Sequence, residues 1–179
     1  MLVRRARRDW YSVDTLNEVL FPAWAISSTR RAGAPLHGGQ YVGFILNRPT
    51  RIQLAELFPT HEPSRKVREP IYLGGPEDLN VVTALVSDHA SPGDGSMQLA
   101  PDLYLALSAQ TVDHVIESLS DHARFFAGAV LWQPGELDQE LRQHAWHILD
   151  LEPDVIMRKR TDGLWQELVQ RAEIQDKGI

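Results

Sequence analysis

The sequence contains no cysteine among its 179 residues. This absence excludes a thiol nucleophile, a disulfide framework, a zinc ribbon and an iron–sulfur cluster held by cysteines. A chain of this length can nevertheless bury roughly 70% of its unfolded surface, so it can fold without disulfides or metals. We therefore expect one domain that is stabilised by an apolar core.

Long apolar runs are also missing. No stretch approaches the ~18 apolar residues of a transmembrane helix. The arginines near the N-terminus resemble the start of a signal peptide, but the apolar run that should follow them is interrupted by Asp9, Ser12, Asp14 and Asn17. The sequence therefore predicts a cytoplasmic protein with no membrane partner.

The net charge of −6 argues against a broad surface that binds a phosphate backbone. The charge is unevenly distributed, because residues 1–31 carry six arginines against three acidic side chains. Such a basic segment is either a solvated terminus or an arm that binds nucleic acid or a membrane surface. We favour the solvated terminus and expect no nucleic-acid partner.

The apolar patterning mixes strands and helices without regular βαβ spacing. Strands are predicted at 41–46, 71–73, 81–86, 103–107, 125–132 and 146–149. Helices are predicted at 12–20, 52–58, 111–119, from 134 onward and at 164–172, with loops at 27–40 and 60–70. This order favours an α+β fold, a single compact domain with a mostly antiparallel or mixed sheet flanked by helices.

Standard catalytic signatures are absent from the sequence. There is no G-x-S-x-G, no P-loop, no G-x-G-x-x-G and no H-E-x-x-H. Among the seven histidines, only His144 and His147 have a spacing typical of metal ligands, and no nearby carboxylate completes a set. We therefore predict no metal site and no cofactor, and we interpret the carboxylates of residues 136–140 as a solvated helix face.

Three polar corners each follow an apolar strand directly. They consist of Asn47, Arg48 and Pro49, then Gly74, Gly75 and Pro76, then Trp132, Pro134 and Gly135. The planar guanidinium of Arg48 suits a carboxylate or a phosphate. Paired glycines can direct backbone N–H groups at an anion, and a helix N-terminus attracts one. Ordinary turn chemistry is the alternative for each corner, and the sequence leaves open whether the corners converge on one groove.

The same three corners resemble the motifs of the AlgH/YqgE family. Residues 43–49 read GFILNRP, residues 72–76 read YLGGP, and residues 128–137 fit G-x-x-x-W-x-P-G-x-L, in the family's order. Glu136 stands where the family more commonly has Gln. The resemblance extends from about residue 34 to residue 171. It implies a compact α+β protein, bacterial and cytoplasmic, from a family that is often labelled a transcriptional regulator but has no established reaction.

The N-terminal part departs from the family pattern. The usual D-P-x-F motif and the apolar strand after it are missing from residues 17–31, which read NEVLFPAWAISSTRR. We therefore divide the chain into a divergent, basic and poorly ordered segment, 1–33, and an AlgH/YqgE-like domain, 34–175. A frameshift or a misassigned start is a further explanation of the abrupt onset. A sheet that lacks two strands would leave an edge uncovered.

These observations favour a non-enzymatic regulatory protein that binds a small anionic ligand or a peptide partner in a polar groove formed by the corners. Arg48 would supply charge, Gly74 and Gly75 would supply backbone donors, and Trp132 would form a wall. One alternative is an enzyme, a hydrolase or transferase, with Glu77, Glu136 or a histidine as base. The other is a transcriptional regulator that contacts DNA through the arginines of residues 1–31.

Overall fold

A computed structural model describes residues 1–5, 19–22, 41–150 and 152–176, of which 19–22 are described by their backbone alone. The strands are β1 Leu2–Arg4, β2 Val19–Pro22, β3 Tyr41–Ile45, β4 Pro49–Gln53, β5 Pro70–Leu73, β6 Glu77–Ser87, β7 Ser96–Ala100, β8 Leu103–Ala106, β9 Ala123–Trp132 and β10 Trp146–Ile148. The α-helices are α1 Leu54–Leu57, α2 Ala109–Ser118, α3 Glu136–Arg142, α4 Pro153–Ile156 and α5 Leu164–Asp176. Two short 3-10 helices span Glu62–Lys66 and Ser120–His122.

The strands form one mixed sheet in the order β10-β1-β2-β3-β9-β6-β8-β7, in which all neighbours are antiparallel. Strand β5 pairs in parallel with β9 and antiparallel with β4. Helices flank this sheet, so the predicted α+β fold with a mostly antiparallel or mixed sheet is confirmed. No helix among the described residues is both long and apolar enough to cross a membrane.

Strand β9 lies at the centre of the sheet and is buried on both faces. Phe126 packs in one apolar cluster with Phe44 and Tyr72, whereas Phe125 packs in another with Val115 of α2. Because both faces are covered, the strand has a continuous apolar sequence and not an alternating one. The apolar run at 125–132 therefore correctly predicts a central strand.

Local signals predicted most of the other elements beyond residue 41. Helix α2 begins after Ser108, whose Oγ accepts a hydrogen bond from the Thr111 N–H at 3.1 Å, and its apolar stripe is buried. Strands β4 and β7 and helix α4 were not predicted. The segment 60–70 is also more than an exposed loop, because its 3-10 helix buries Ser64, and Val67 follows it into the core.

The described parts of the N-terminal segment belong to the sheet. Strand β1 lies between β10 and β2, with Met1 and Val3 in one apolar cluster and Leu2 in another. The expectation that the sheet lacks two strands is therefore wrong, because β1 and β2 are both part of it. The helix predicted at 12–20 and the loop predicted at 27–40 lie outside the described residues, except that β2 includes Val19 and Leu20.

Candidate functional site

The first two polar corners lie side by side. The N–H of Leu73 donates to the Arg48 carbonyl at 2.8 Å, and the N–H of Ile45 donates to the Gly74 carbonyl at 2.8 Å. The chain leaving β3 therefore runs beside the chain leaving β5. This arrangement brings Asn47 and Arg48 close to the glycine pair, as a shared groove would require.

The glycine pair allows the connection from β5 to β6 to cross directly over β9. A Cβ at Gly74 would lie 2.3 Å from the Gly128 carbonyl oxygen, and a Cβ at Gly75 would lie 2.1 Å from the Ala129 carbonyl carbon. The N–H of Gly74 also donates to the Ala127 carbonyl at 2.8 Å. The Gly74 N–H, which we expected to face an anion, is therefore already used in a backbone hydrogen bond to β9.

The third corner lies away from the other two. Trp132 is opposite Tyr41, at the far end of β3 from Asn47. Continuation of that register separates Trp132 from Asn47 by about 20 Å along the strands. Trp132 is also only 4% exposed and belongs to an apolar cluster with Leu137 and Trp146. The three corners do not line a single groove, and Trp132 is a core residue.

The Pro134–Gly135 corner forms a helix start. Gly135 precedes α3 with a φ of 86°, a left-handed conformation that favours glycine. An Oε of Glu136 accepts the Gln133 N–H at 2.7 Å. The Glu136 carboxylate therefore lies at the positive end of the helix dipole and holds the turn before α3, where its negative charge would oppose a bound anion.

The most deeply buried charge in the described chain is Arg124 on β9, which no local signal in the sequence identifies. Its side chain is 1% exposed and donates to the backbone carbonyls of Leu46 and Ile156. The guanidinium carbon lies 4.1 Å from the centroid of the Tyr72 ring. Burial lowers the pKa of Arg124 to about 10, so the side chain is still cationic at neutral pH.

Beside this core lies a polar pocket of about 290 Å³, which we call the cationic pocket. It is lined by Lys66, Val67, Arg68, Glu69, Ser120, Asp121 and Lys159. Lys159 lies 3.5 Å from the Glu69 carboxylate and donates to the Asp121 carbonyl at 3.2 Å. Lys66 and Arg68, by contrast, have no acidic partner among the residues that the structure describes.

The pocket and the buried arginine are electrostatically connected through Glu69. Burial is the main cause that lowers the pKa of Arg124, and the Glu69 carboxylate partly opposes it. Burial also raises the pKa of Tyr72; the charge of Arg124 opposes this rise, and Glu69 adds a smaller contribution to it. The Tyr72 hydroxyl donates to the Lys159 carbonyl at 2.6 Å, which joins the core to the pocket wall. The arrangement can hold a small anion by charge-assisted hydrogen bonds.

The two histidines considered as metal ligands have separate surroundings. His144 is exposed and has a positive φ of 52°. His147 is buried, and its Nδ1 lies 3.3 Å from the Asp176 carboxylate. The sequence run from Arg65 to Arg68 is the available signal for the cationic pocket, although the charged segment 60–70 is predicted to be an exposed loop.

Comparisons with known proteins agree with the motifs. The profile of a family described as AlgH-like matches residues 37–177. A UPF0301 protein of Chlorobium luteolum is 29% identical over 131 residues, which cover 72% of this chain and 67% of that protein. A UPF0301 protein of Streptomyces avermitilis is 26% identical over 137 residues, which cover 73% of this chain and 69% of that protein.

Two solved structures share the fold. The crystal structure of protein DIP2367 from Corynebacterium diphtheriae aligns with a TM-score of 0.68 at 18% identity, covering 95% of this chain and 85% of the other. The solution structure of AlgH from Pseudomonas aeruginosa aligns with a TM-score of 0.62 at 19% identity, covering 90% of this chain and 91% of the other. The match to the family profile spans most of the sequence, and this chain therefore belongs to the AlgH-like family.

Proposed function

We propose that this AlgH-like chain is a non-enzymatic regulatory protein that binds a small anionic ligand in the cationic pocket. The observation that supports the proposal is the pair of unneutralised cations, Lys66 and Arg68, at a pocket that Lys159 also lines. Cations that lack a protein partner at a concave site are free to bind an anion from solution.

The size and charge of the pocket narrow the ligand class. A volume of about 290 Å³ is at the lower end of typical small-molecule sites. It suits a phosphate, a small polycarboxylate or the acidic side chain of a protein partner. Three cations outnumber the carboxylates of Glu69 and Asp121, and the buried Arg124 adds positive potential behind them.

Binding is favoured over catalysis because no histidine lines the pocket and because Glu69 is paired with Lys159. One observation supports the enzyme alternative. An Oε of Glu77, directly after the second corner, is buried without a hydrogen-bond partner among the described residues. A carboxylate oxygen that faces no protein donor can accept a proton from a substrate, so Glu77→Gln is the variant with which to test any activity found.

A cytoplasmic, bacterial setting remains part of the proposal, supported by the absence of cysteine and by the bacterial relatives. Regulation by direct DNA contact has weaker support. Arg4 lies 3.8 Å from Glu140 and stacks over Trp146, and Arg5 lies 3.1 Å from Asp176. These intramolecular contacts compete with any phosphate backbone for the two arginines.

The test is calorimetric titration of the full chain with inorganic phosphate and with citrate, alongside thermal unfolding, at constant ionic strength. We expect saturable binding and a raised melting temperature. Loss of one charge-assisted hydrogen bond in Lys66→Ala or Arg68→Ala should weaken binding roughly tenfold. Arg65→Ala is the matched control, because Arg65 is adjacent in sequence but pairs with Glu62 at 2.8 Å.

Two results would contradict the proposal. One is that neither anion binds, and the other is that both pocket variants bind as tightly as the wild type. An Arg48→Ala variant distinguishes anion binding at the cationic pocket from anion binding at the first corner. If Arg48→Ala alone abolishes binding, the ligand belongs at the corner that Asn47 and Arg48 form beside Gly74, and the pocket assignment is wrong.

A further inference from the structure

A second cluster, independent of the cationic pocket, brings together one imidazole and two carboxylates. His61 Nε2 lies 3.1 Å from an Oδ of Asp113 and 3.9 Å from an Oε of Glu117. The three potential ligand atoms all lie within 4.8 Å of one another. We propose that His61, Asp113 and Glu117 bind one divalent transition-metal ion, with Zn²⁺ as the ion that fits their chemistry best.

The separations of these atoms are close to those around a four-coordinate ion. Ligand atoms at about 2.1 Å from a tetrahedral Zn²⁺ are about 3.4 Å from one another. The measured distances of 3.1 Å and 3.9 Å lie on either side of that value. Asp113 and Glu117 have exposed side chains, so small rotations can complete the geometry. Their i, i+4 spacing places both carboxylates on one face of α2.

The imidazole is held in the orientation that metal binding needs. His61 Nδ1 lies 2.7 Å from Ser64 Oγ, and Ser64 is fully buried. When Nδ1–H donates to this hydroxyl, Nε2 carries the lone pair and faces the carboxylates. A metal-binding histidine is typically oriented through its other ring nitrogen in this way. Nε2 is itself buried and has no hydrogen-bond partner among the described residues.

The charge of the donor set also favours a divalent cation. In the tautomer that carries the proton on Nδ1, the Nε2 lone pair faces two carboxylates, and this arrangement is electrostatically unfavourable unless a cation lies between them. The two carboxylates supply a formal charge that matches a divalent ion, and the imidazole selects Zn²⁺ over Mg²⁺ or Ca²⁺. A fourth coordination position would be filled by water. A proton on Nε2 that is donated to Asp113, on either a neutral or a charged imidazole, is the competing explanation.

The site would connect two separate parts of the fold. Asp113 and Glu117 lie on α2, whereas His61 precedes the 3-10 helix Glu62–Lys66, which also carries Lys66 of the cationic pocket. A bound ion would therefore fix the segment before β5 against α2. We expect it to stabilise the fold, because the ligands meet only in the folded state.

The test uses the full chain after chelator treatment, titrated with ZnCl₂ against a chromophoric zinc chelator, with MgCl₂ as a parallel titration. We expect one equivalent of Zn²⁺, a raised melting temperature with Zn²⁺, and neither effect with Mg²⁺. His61→Ala, Asp113→Asn and Glu117→Gln should each weaken Zn²⁺ binding at least tenfold. Circular dichroism shows whether each variant is folded, and the exposed Asp113 provides a variant that does not disturb the core.

His89→Ala is the matched control. His89 Nδ1 lies 3.2 Å from Asp102, but the pair is exposed and is not in any three-ligand group among the described residues. This variant should bind Zn²⁺ like the wild type. The proposal is overturned if the wild type binds no Zn²⁺, which would leave an Nε2–H hydrogen bond to Asp113 as the explanation. It is equally overturned if folded Asp113→Asn and Glu117→Gln both retain wild-type affinity.

Discussion

The guanidinium of Arg124 stacks on the ring of Tyr72 at 4.1 Å in the interior of the domain. No carboxylate among the described residues forms a salt bridge with this arginine. Its charge is stabilised by the aromatic face and by the carbonyls of Leu46 and Ile156. Arg124 thereby connects three parts of the fold. These are the end of β3, where the first polar corner begins, helix α4, and strand β5, which carries Tyr72 and follows the pocket residue Glu69.

Arg124→Met should destabilise the fold by about 2–4 kcal/mol, because it leaves two carbonyl groups without their donors. Urea denaturation followed by tryptophan fluorescence measures the free energy of unfolding. Arg160→Met is the control, because Arg160 is exposed and has no partner among the described residues. Equal stability of the two variants would show that the buried guanidinium contributes little beyond filling space.

The ion pair between Glu167 of α5 and Arg158, which follows α4, predicts a pH dependence of stability. Hydrogen bonding to Arg158 at 2.5 Å, opposed in part by burial, lowers the pKa of Glu167 from its ordinary value of 4.5. Ionised Glu167 therefore stabilises the fold above about pH 4.5, and this stabilisation is lost as the pH falls through the lowered pKa. Because the pair is partly exposed, we expect a contribution of at most about 1 kcal/mol.

Glu167→Gln measures that contribution. The difference in unfolding free energy between the wild type and Glu167→Gln should be largest near neutral pH and should shrink at pH values below 4.5. Glu173→Gln, on the same helix, provides the control, since Glu173 has no partner among the described residues. A difference that stays constant with pH would show that the carboxylate contributes through packing and not through its charge.

The local sequence pattern was sufficient to predict those strands and helices whose burial produces a recognisable apolar periodicity. The continuous apolar run of β9 and the apolar stripe of α2 are examples, because burial on both faces or on one face leaves a mark in the sequence itself. Strand β4, with the sequence PTRIQ, is mostly exposed and joins the sheet only through β5, so no periodicity reveals it.

The candidate site was harder to predict because its residues meet through the tertiary fold. In the sequence, Arg124 is an ordinary charged residue at the start of a strand. The carbonyls that accept its hydrogen bonds when it is buried belong to Leu46 and Ile156, which are far away in sequence. The spacing of Asp113 and Glu117 was visible, but nothing local places His61 beside them. Trp132 could not be assigned to the core without knowledge of Trp146.

A substitution in the glycine pair tests whether these glycines are needed for chain packing or for ligand binding. Gly75→Ala would place a Cβ 2.1 Å from the Ala129 backbone, so the crossing chains would have to separate. We expect a loss of about 2–3 kcal/mol or more, measured by denaturation. Pro76→Ala, at the exposed neighbour, should have a small effect. If Gly75→Ala unfolds like the wild type and loses only anion binding, the glycines serve a ligand after all.

The N-terminal strand provides the last prediction. Val3 is fully buried, and β1 bridges β2 and β10, so a charge at this position would disrupt the apolar cluster beneath the sheet. Val3→Asp should therefore cost about 3 kcal/mol or more, or prevent folding, because an unpaired carboxylate would be buried. Ile148→Asp is the control on the neighbouring strand, since Ile148 is 64% exposed and lies opposite Leu2. A solvated, independent leader would tolerate both changes equally. A large loss of unfolding free energy in Val3→Asp alone would make residues 2–4 part of the domain and move its functional boundary to the N-terminal side of residue 34.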